Sequence, residues 1–206
     1  MTIELKKEWR CFGGRVLQYN HDSTSTKTRM RFTVFLPPQA STESPVPGIY
    51  YLSGLTCTDE NFIQKGGALK PAAERGVALI VPDTSPRGAG VPGEVSGNLD
   101  DDNWDFGSGA GFYVNATEPQ WKENYNMYTY VTEELPSIIN FNFPVNTSCC
   151  SIFGHSMGGH GALTIAFRDP QKYRSVSAFS PICNPIGCPW GVKAFTGYFG
   201  TDKAKW

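Results

Sequence analysis

The residues in this chain best suited to covalent chemistry are Gly154-His155-Ser156-Met157-Gly158, a serine with glycine two positions away on each side. Such a pentapeptide can form a sharp turn that presents the hydroxyl, because side chains at the glycine positions would collide. The flanking elements have the right character. Ser151-Ile152-Phe153 is a short apolar run suited to a buried parallel strand. From 157 to 167, Ala162, Leu163, Ile165, Ala166 and Phe167 fall at helical spacing, and Asp169-Pro170 closes the pattern. The spacing therefore predicts strand, turn and helix in that order. At the helix start the backbone N–H of Met157 lies where unpaired donors and the helix dipole favour negative charge, one half of an oxyanion hole. The other half is expected from the loop after the third strand. Residues 48–52 read as that strand, Ser53-Gly54-Leu55-Thr56 as the loop, and the Leu55 N–H as the second donor. An ordinary strand-ending turn accounts for Ser53-Gly54 equally well.

A serine hydroxyl is a poor nucleophile until a base takes its proton. Folds that present serine on such a turn place the partners later in the chain, in the order Ser, Asp or Glu, His. The histidines here are His21, His155 and His160, so none follows residue 160. His155 adjoins the nucleophile, and neighbouring side chains point apart. His160 lies one helical turn on and is expected to satisfy a core hydrogen bond, while His21 falls in an N-terminal hairpin region. Asp83, Asp169 and Asp202 read as loop, helix-end and surface carboxylates. The expectation is a nucleophile without its base.

The elements that would position this turn alternate between strand and helix. Residues 31–36 alternate and end at Pro37-Pro38, an early antiparallel strand. After strand 48–52 come a helix near 69–75 and the continuous apolar run Val77-Ala78-Leu79-Ile80-Val81, a central parallel strand. A Gly- and Asp-rich loop from 85 to about 118 follows, long enough to suggest function. Residues 128–140 read as a helix and 175–180 as a further parallel strand. The pattern is α/β, with the serine at the carboxyl edge of a parallel sheet, where ligands bind.

Composition excludes several classes. Net charge is −1, with Lys and Arg scattered, so there is no basic patch for nucleic acid. No apolar run approaches the roughly 18 residues of a membrane span, and residues 1–10 lack a signal-peptide core. Six cysteines at irregular spacing, Cys149 and Cys150 adjacent, make a poor disulfide framework and a poor metal pattern. A reducing cytoplasm is the simplest home.

Beyond the pentapeptide, several motifs together resemble the S-formylglutathione hydrolase (esterase D) family. They are Leu52-Ser53-Gly54-Leu55-Thr56-Cys57-Thr58, Pro82-Asp83-Thr84-Ser85-Pro86-Arg87-Gly88, Trp104-Asp105-Phe106-Gly107, Gly111-Phe112-Tyr113, the run from Phe153 to Leu163, and Ser180-Pro181-Ile182-Cys183-Asn184-Pro185 with Cys188-Pro189-Trp190-Gly191. The resemblance runs from about residue 11 to 206. It implies the α/β-hydrolase fold, a mostly parallel central sheet flanked by helices, in one domain over 1–206. It implies a cytosolic serine thioesterase that hydrolyses S-formylglutathione to glutathione and formate, closing formaldehyde detoxification. Family members also cleave small acyl esters, are usually homodimers and need no cofactor.

Carried over by motif, Ser156 matches the nucleophile, the backbones of Leu55 and Met157 match the oxyanion hole, and Cys57 matches a cysteine near the site. On its own, Cys57 reads as a buried small hydrophobe as readily as a reactive thiol. Phe106 and Trp190 would wall a narrow acyl pocket, with core packing the alternative. Arg87 or Lys193 would meet glutathione carboxylates, though lone surface charges are usually solvated. The departure is at the carboxyl end, where family members continue with further strands and a helix that carry the triad Asp and His. The expectation is a C-terminally incomplete, impaired and aggregation-prone chain. A general carboxylesterase or acyltransferase, and a non-catalytic isoform that only binds a subunit or ligand, are the alternatives.

Overall fold

Apolar Met30, Phe32, Val34 and Leu36 on one face, with Phe35 on the other, make residues 29–36 a strand buried on both faces from 32 onward, and the sheet grows around it. The computed structural model describes residues 2–93 and 104–206. The strands β1 (Glu4–Cys11), β2 (Gly14–Asp22), β3 (Arg29–Leu36), β4 (Val46–Leu52), β5 (Ala78–Pro82), β6 (Val145–His155) and β7 (Val176–Phe179) form one sheet in the order β1-β2-β3-β5-β4-β6-β7. The first three form an antiparallel meander and β3 pairs antiparallel with β5. The run β5-β4-β6-β7 is parallel. This is the mostly parallel sheet that the alternating elements predict.

Helices cover both faces, which is why β5 is buried at every position. On one face Val16, Phe35, Tyr51 and Leu79 pack with Ile63 of α1 (Asp59–Lys65) and Ala72 and Ala73 of α2 (Leu69–Arg75). On the other, Phe32, Val34, Tyr50 and Ile80 pack with Ile138 and Ile139 of α4 (Leu135–Asn142) and Ala162 and Ile165 of α5 (Met157–Arg168). Among the described residues, no helix is long and apolar enough to cross a membrane.

Several boundaries differ from the sequence reading, each for a physical reason. The strand over 46–52 is the fourth, because β1 and β2 precede β3 as a hairpin. β1 is exposed at seven of its eight residues and so carries no burial period to read. The helix expected over 128–140 begins at α3 (Met127–Thr129), widens into a π-helical turn (Tyr130–Glu134) and continues as α4. Pro136 supplies no N–H for the Thr132 carbonyl four residues back, and the Lys172 ammonium takes that carbonyl instead. The long loop after β5 includes residues 94–103, which lie outside the described residues. Its later part, 104–118, folds against α6 (Pro189–Phe199), a helix with no counterpart in the sequence reading.

Candidate active site

The sharp turn forms where the glycine spacing requires it. Ser156 sits between β6 and α5 with φ 56° and ψ −118°, a conformation that L-residues rarely adopt. It is held by its own backbone. Its N–H donates to the Phe179 carbonyl at 2.9 Å, and its carbonyl accepts from His160 N at 3.1 Å and Ile182 N at 3.2 Å. A Cβ on Gly158 would lie 1.9 Å from the Leu52 carbonyl oxygen, and one on Gly154 would lie 2.2 Å from that of Gly158. Both positions therefore exclude any side chain.

The loop after β4 reaches the same point. A Cβ on Gly54 would lie 3.2 Å from Ser156 Cβ, so residues 53–57 run directly beside the nucleophile. Tyr113, fully buried, donates its hydroxyl to the Ser53 carbonyl at 2.9 Å. Thr56, at φ 67°, donates its N–H to the Gly109 carbonyl at 2.9 Å, and Cys57 N donates to the Gly54 carbonyl at 3.3 Å. The N–H groups of Leu55 and Met157 have no partner among the described residues. Two free donors on adjoining segments beside one serine can receive an oxyanion.

No comparable partner stands on the proton side. Ser156 Oγ makes no hydrogen bond to any described side chain. His155 is exposed, with Nδ1 3.4 Å from the Cβ position of Gly54. His160 faces the aromatic ring of Phe195, and burial lowers its basicity, opposed by the Ile182 backbone. His21 is a buried residue near the end of β2, its Nε2 3.1 Å from the Tyr130 hydroxyl. Asp83 is no free loop carboxylate. It is buried, and the Arg87 fork grips both its oxygens at 2.9 and 3.1 Å. Asp202 caps a short 3-10 turn.

The remaining candidates separate. Cys57 is half-buried, and burial pushes its thiol pKa up, which disfavours the reactive thiolate. Phe106 packs its ring against Trp121 and Tyr198 and over Gly197, where any Cβ would meet it, so its observed contacts are those of the core. Trp190 stays 42% exposed, edge-on to Trp104, which is 50% exposed. Arg87 and Lys193 are not lone surface charges: Arg87 also donates to the Cys57 carbonyl and Ser108, and Lys193 pairs with Asp105. Two clefts lie away from Ser156. One of about 370 Å³ is lined by Tyr113, His160, Arg168, Phe195 and Trp206, and one of about 350 Å³ by Arg15, Tyr19 and Phe143. The backbone of the turn marks this site. Tyr113 is the positioning residue that sequence reading missed. Gly161 was its signal, since a Cβ there would lie 2.6 Å from the Tyr113 ring.

Comparison with known proteins agrees with this geometry. Residues 23–206 match the Esterase family model, described as "Putative esterase". The chain is 60% identical over 206 residues to an S-formylglutathione hydrolase of Mus musculus, covering 100% of this chain and 71% of that one. Its identity to the Rattus norvegicus enzyme of the same name is 58% over 197 residues, covering 96% and 67%. A solved S-formylglutathione hydrolase from Agrobacterium tumefaciens matches with a TM-score of 0.92 and 46% identity, over 98% of this chain and 70% of that chain.

Proposed function

The chain belongs to the S-formylglutathione hydrolase family of esterases, and from that premise we propose that it acts on S-formylglutathione, releasing glutathione and formate as a step in formaldehyde breakdown. Ser156 Oγ attacks the formyl carbon. The carbonyl oxygen, now negative, is received by the Leu55 and Met157 N–H groups, each contributing on the order of 3 kcal/mol. Collapse of the tetrahedral species expels the glutathione thiolate and leaves a formyl ester on Ser156. Water then attacks that ester and formate departs. The observation that carries this reading is the pair of unengaged donors flanking a serine held at positive φ.

Proton transfer sets the rate. The serine must lose its proton on attack, and water must lose one in the second step. With no base among the described residues hydrogen-bonded to Ser156 Oγ, residues 1–206 are expected to perform this chemistry slowly. Loss of the base costs about 10⁶-fold in turnover, leaving roughly 10³ to 10⁴ over water from binding and the oxyanion hole. The missing contact also favours a second reading, in which these residues bind a subunit or ligand without catalysis. Fluorophosphonate labelling followed by peptide mapping tests the site. Weak modification confined to Ser156 and absent in Ser156→Ala is expected, and modification elsewhere contradicts it.

A further inference from the structure

The segment Asp83-Thr84-Ser85-Pro86-Arg87 has no part in the chemistry described so far, yet its side chains converge on the loop beside Ser156. It leaves β5 two strands away from β6. Thr84 Oγ1 donates to the Cys57 carbonyl at 2.5 Å, and Arg87 Nη2 donates to the same oxygen at 3.2 Å. Arg87 is itself aimed by the buried Asp83 carboxylate, which also accepts from the Thr84 N–H at 2.7 Å. Ser85 Oγ accepts from Gly109 N at 2.8 Å, and the Gly109 carbonyl takes the Thr56 N–H. The turn at Thr56 and Cys57 is thus fixed at its N–H and at its following carbonyl from one rigid strand end.

That grip matters because Thr56 is held at φ 67°, a conformation a threonine leaves when released. Relaxation of Thr56 about φ would swing the chain on its amino side, first the Leu55–Thr56 peptide and, through Leu55, the Gly54–Leu55 peptide that carries the Leu55 N–H. We propose that Thr84 and Arg87 are positioning residues for the oxyanion hole. They fix the Cys57 carbonyl, and through the Thr56 turn they keep the Leu55 N–H unengaged and directed at Ser156. This rests on the role given to Leu55 above. A carbonyl oxygen carries two lone pairs, so it can accept from the Thr84 hydroxyl and the Arg87 fork together.

The test is the single-turnover acylation of Ser156 in the 206-residue chain by p-nitrophenyl acetate, read as phenolate release and normalised to folded protein. Thr84→Val keeps the shape and removes the donor; it should lower the limiting rate about tenfold with the half-saturating ester concentration unchanged. Thr84→Ser restores the donor and should return the rate to within about threefold. Arg87→Lys, on a part-exposed side chain, keeps the charge beside Asp83 and loses the fork; it should also lower the limiting rate. Because both side chains serve one oxygen, the double variant should lose less than the product of the single losses. A Thr84→Val chain that melts earlier but acylates at the parent rate overturns the proposal, as does one that changes only half-saturation. If Thr84→Val does not fold, an unchanged limiting rate in Arg87→Lys is the overturning result. Phenolate release that survives Ser156→Ala, or a parent chain that is not acylated at Ser156, defeats the proposed function itself.

Discussion

The two flanks of Ser156 are built to different standards. On the β4–β5 side the Ser53, Gly54 and Cys57 carbonyls and the Thr56 and Cys57 N–H groups are each tied to a neighbour, and the Leu55 N–H is left unengaged. On the β7 side, Phe179 is 58% exposed, Trp190 42% and Ile186 57%, and no described strand pairs with the outer edge of β7. The electrophile-stabilising half of a hydrolase site needs only backbone held in place, and one sheet with its strand-end loops supplies that. The proton-handling half needs a titratable side chain on a separate element, and none of the described ones takes that position.

The contrast can be broken in several ways. The largest effect is expected from Ser156→Ala, which should abolish acylation by p-nitrophenyl acetate while leaving the melting temperature nearly unchanged. Acylation that persists would move the site away from the furnished flank. Next is Gly158→Ala, whose Cβ would meet the Leu52 carbonyl at 1.9 Å. A loss of about 3 kcal/mol in denaturant unfolding is expected, together with loss of labelling, because a backbone oxygen cannot yield as a side chain does. Tyr113→Phe leaves the buried Ser53 carbonyl without its donor and should cost about 1 kcal/mol in stability. Its acylation rate should fall by more than that loss of folded protein explains. On the other flank, Phe179→Thr should reduce aggregation in light scattering and leave Ser156 acylation unmoved.

The smallest effect is a pH dependence that belongs to neither flank. Burial lowers the basicity of His21, opposed by Glu134, and burial likewise lowers that of His160. Each is more readily protonated unfolded than folded, so stability is full above the ordinary histidine pKa of about 6.5 and falls as pH drops below it. Burial pushes Glu134 up, but hydrogen bonds from Ser25, Thr24 and Ser23 outweigh it and hold its carboxyl below the usual value, so its contribution is lost only at more acidic pH. Melting temperature should therefore decline gently from pH 7 to pH 5. A flat profile there would contradict the neutral, buried state of His21.

Much of the furnished flank was legible in the sequence because local rules govern it. Glycine spacing around Ser156, the apolar run of β5 and the helix over 69–75 depend on backbone sterics and burial period, and the observed elements follow them closely. What was not legible depends on distant partners. The widened turn at Tyr130–Glu134 follows from Pro136 together with Lys172, forty residues from the carbonyl it serves. Arg87 read as a lone surface charge because nothing in its neighbourhood of sequence reveals the Cys57 carbonyl thirty residues earlier. For Phe106 the sequence leaves pocket wall and core packing equally open, because nothing near it in the chain reveals that Gly197 leaves room for its ring.

The most direct test is formate release from S-formylglutathione by the purified 206-residue chain, titrated with free imidazole and corrected by Ser156→Ala. A Ser156-dependent rate far below the 1 to 10³ s⁻¹ of ordinary enzymes is expected, rising in proportion to imidazole as the added base takes up the proton. Turnover within the ordinary range, insensitive to imidazole and lost in His155→Gln, would instead show that this chain carries its own base.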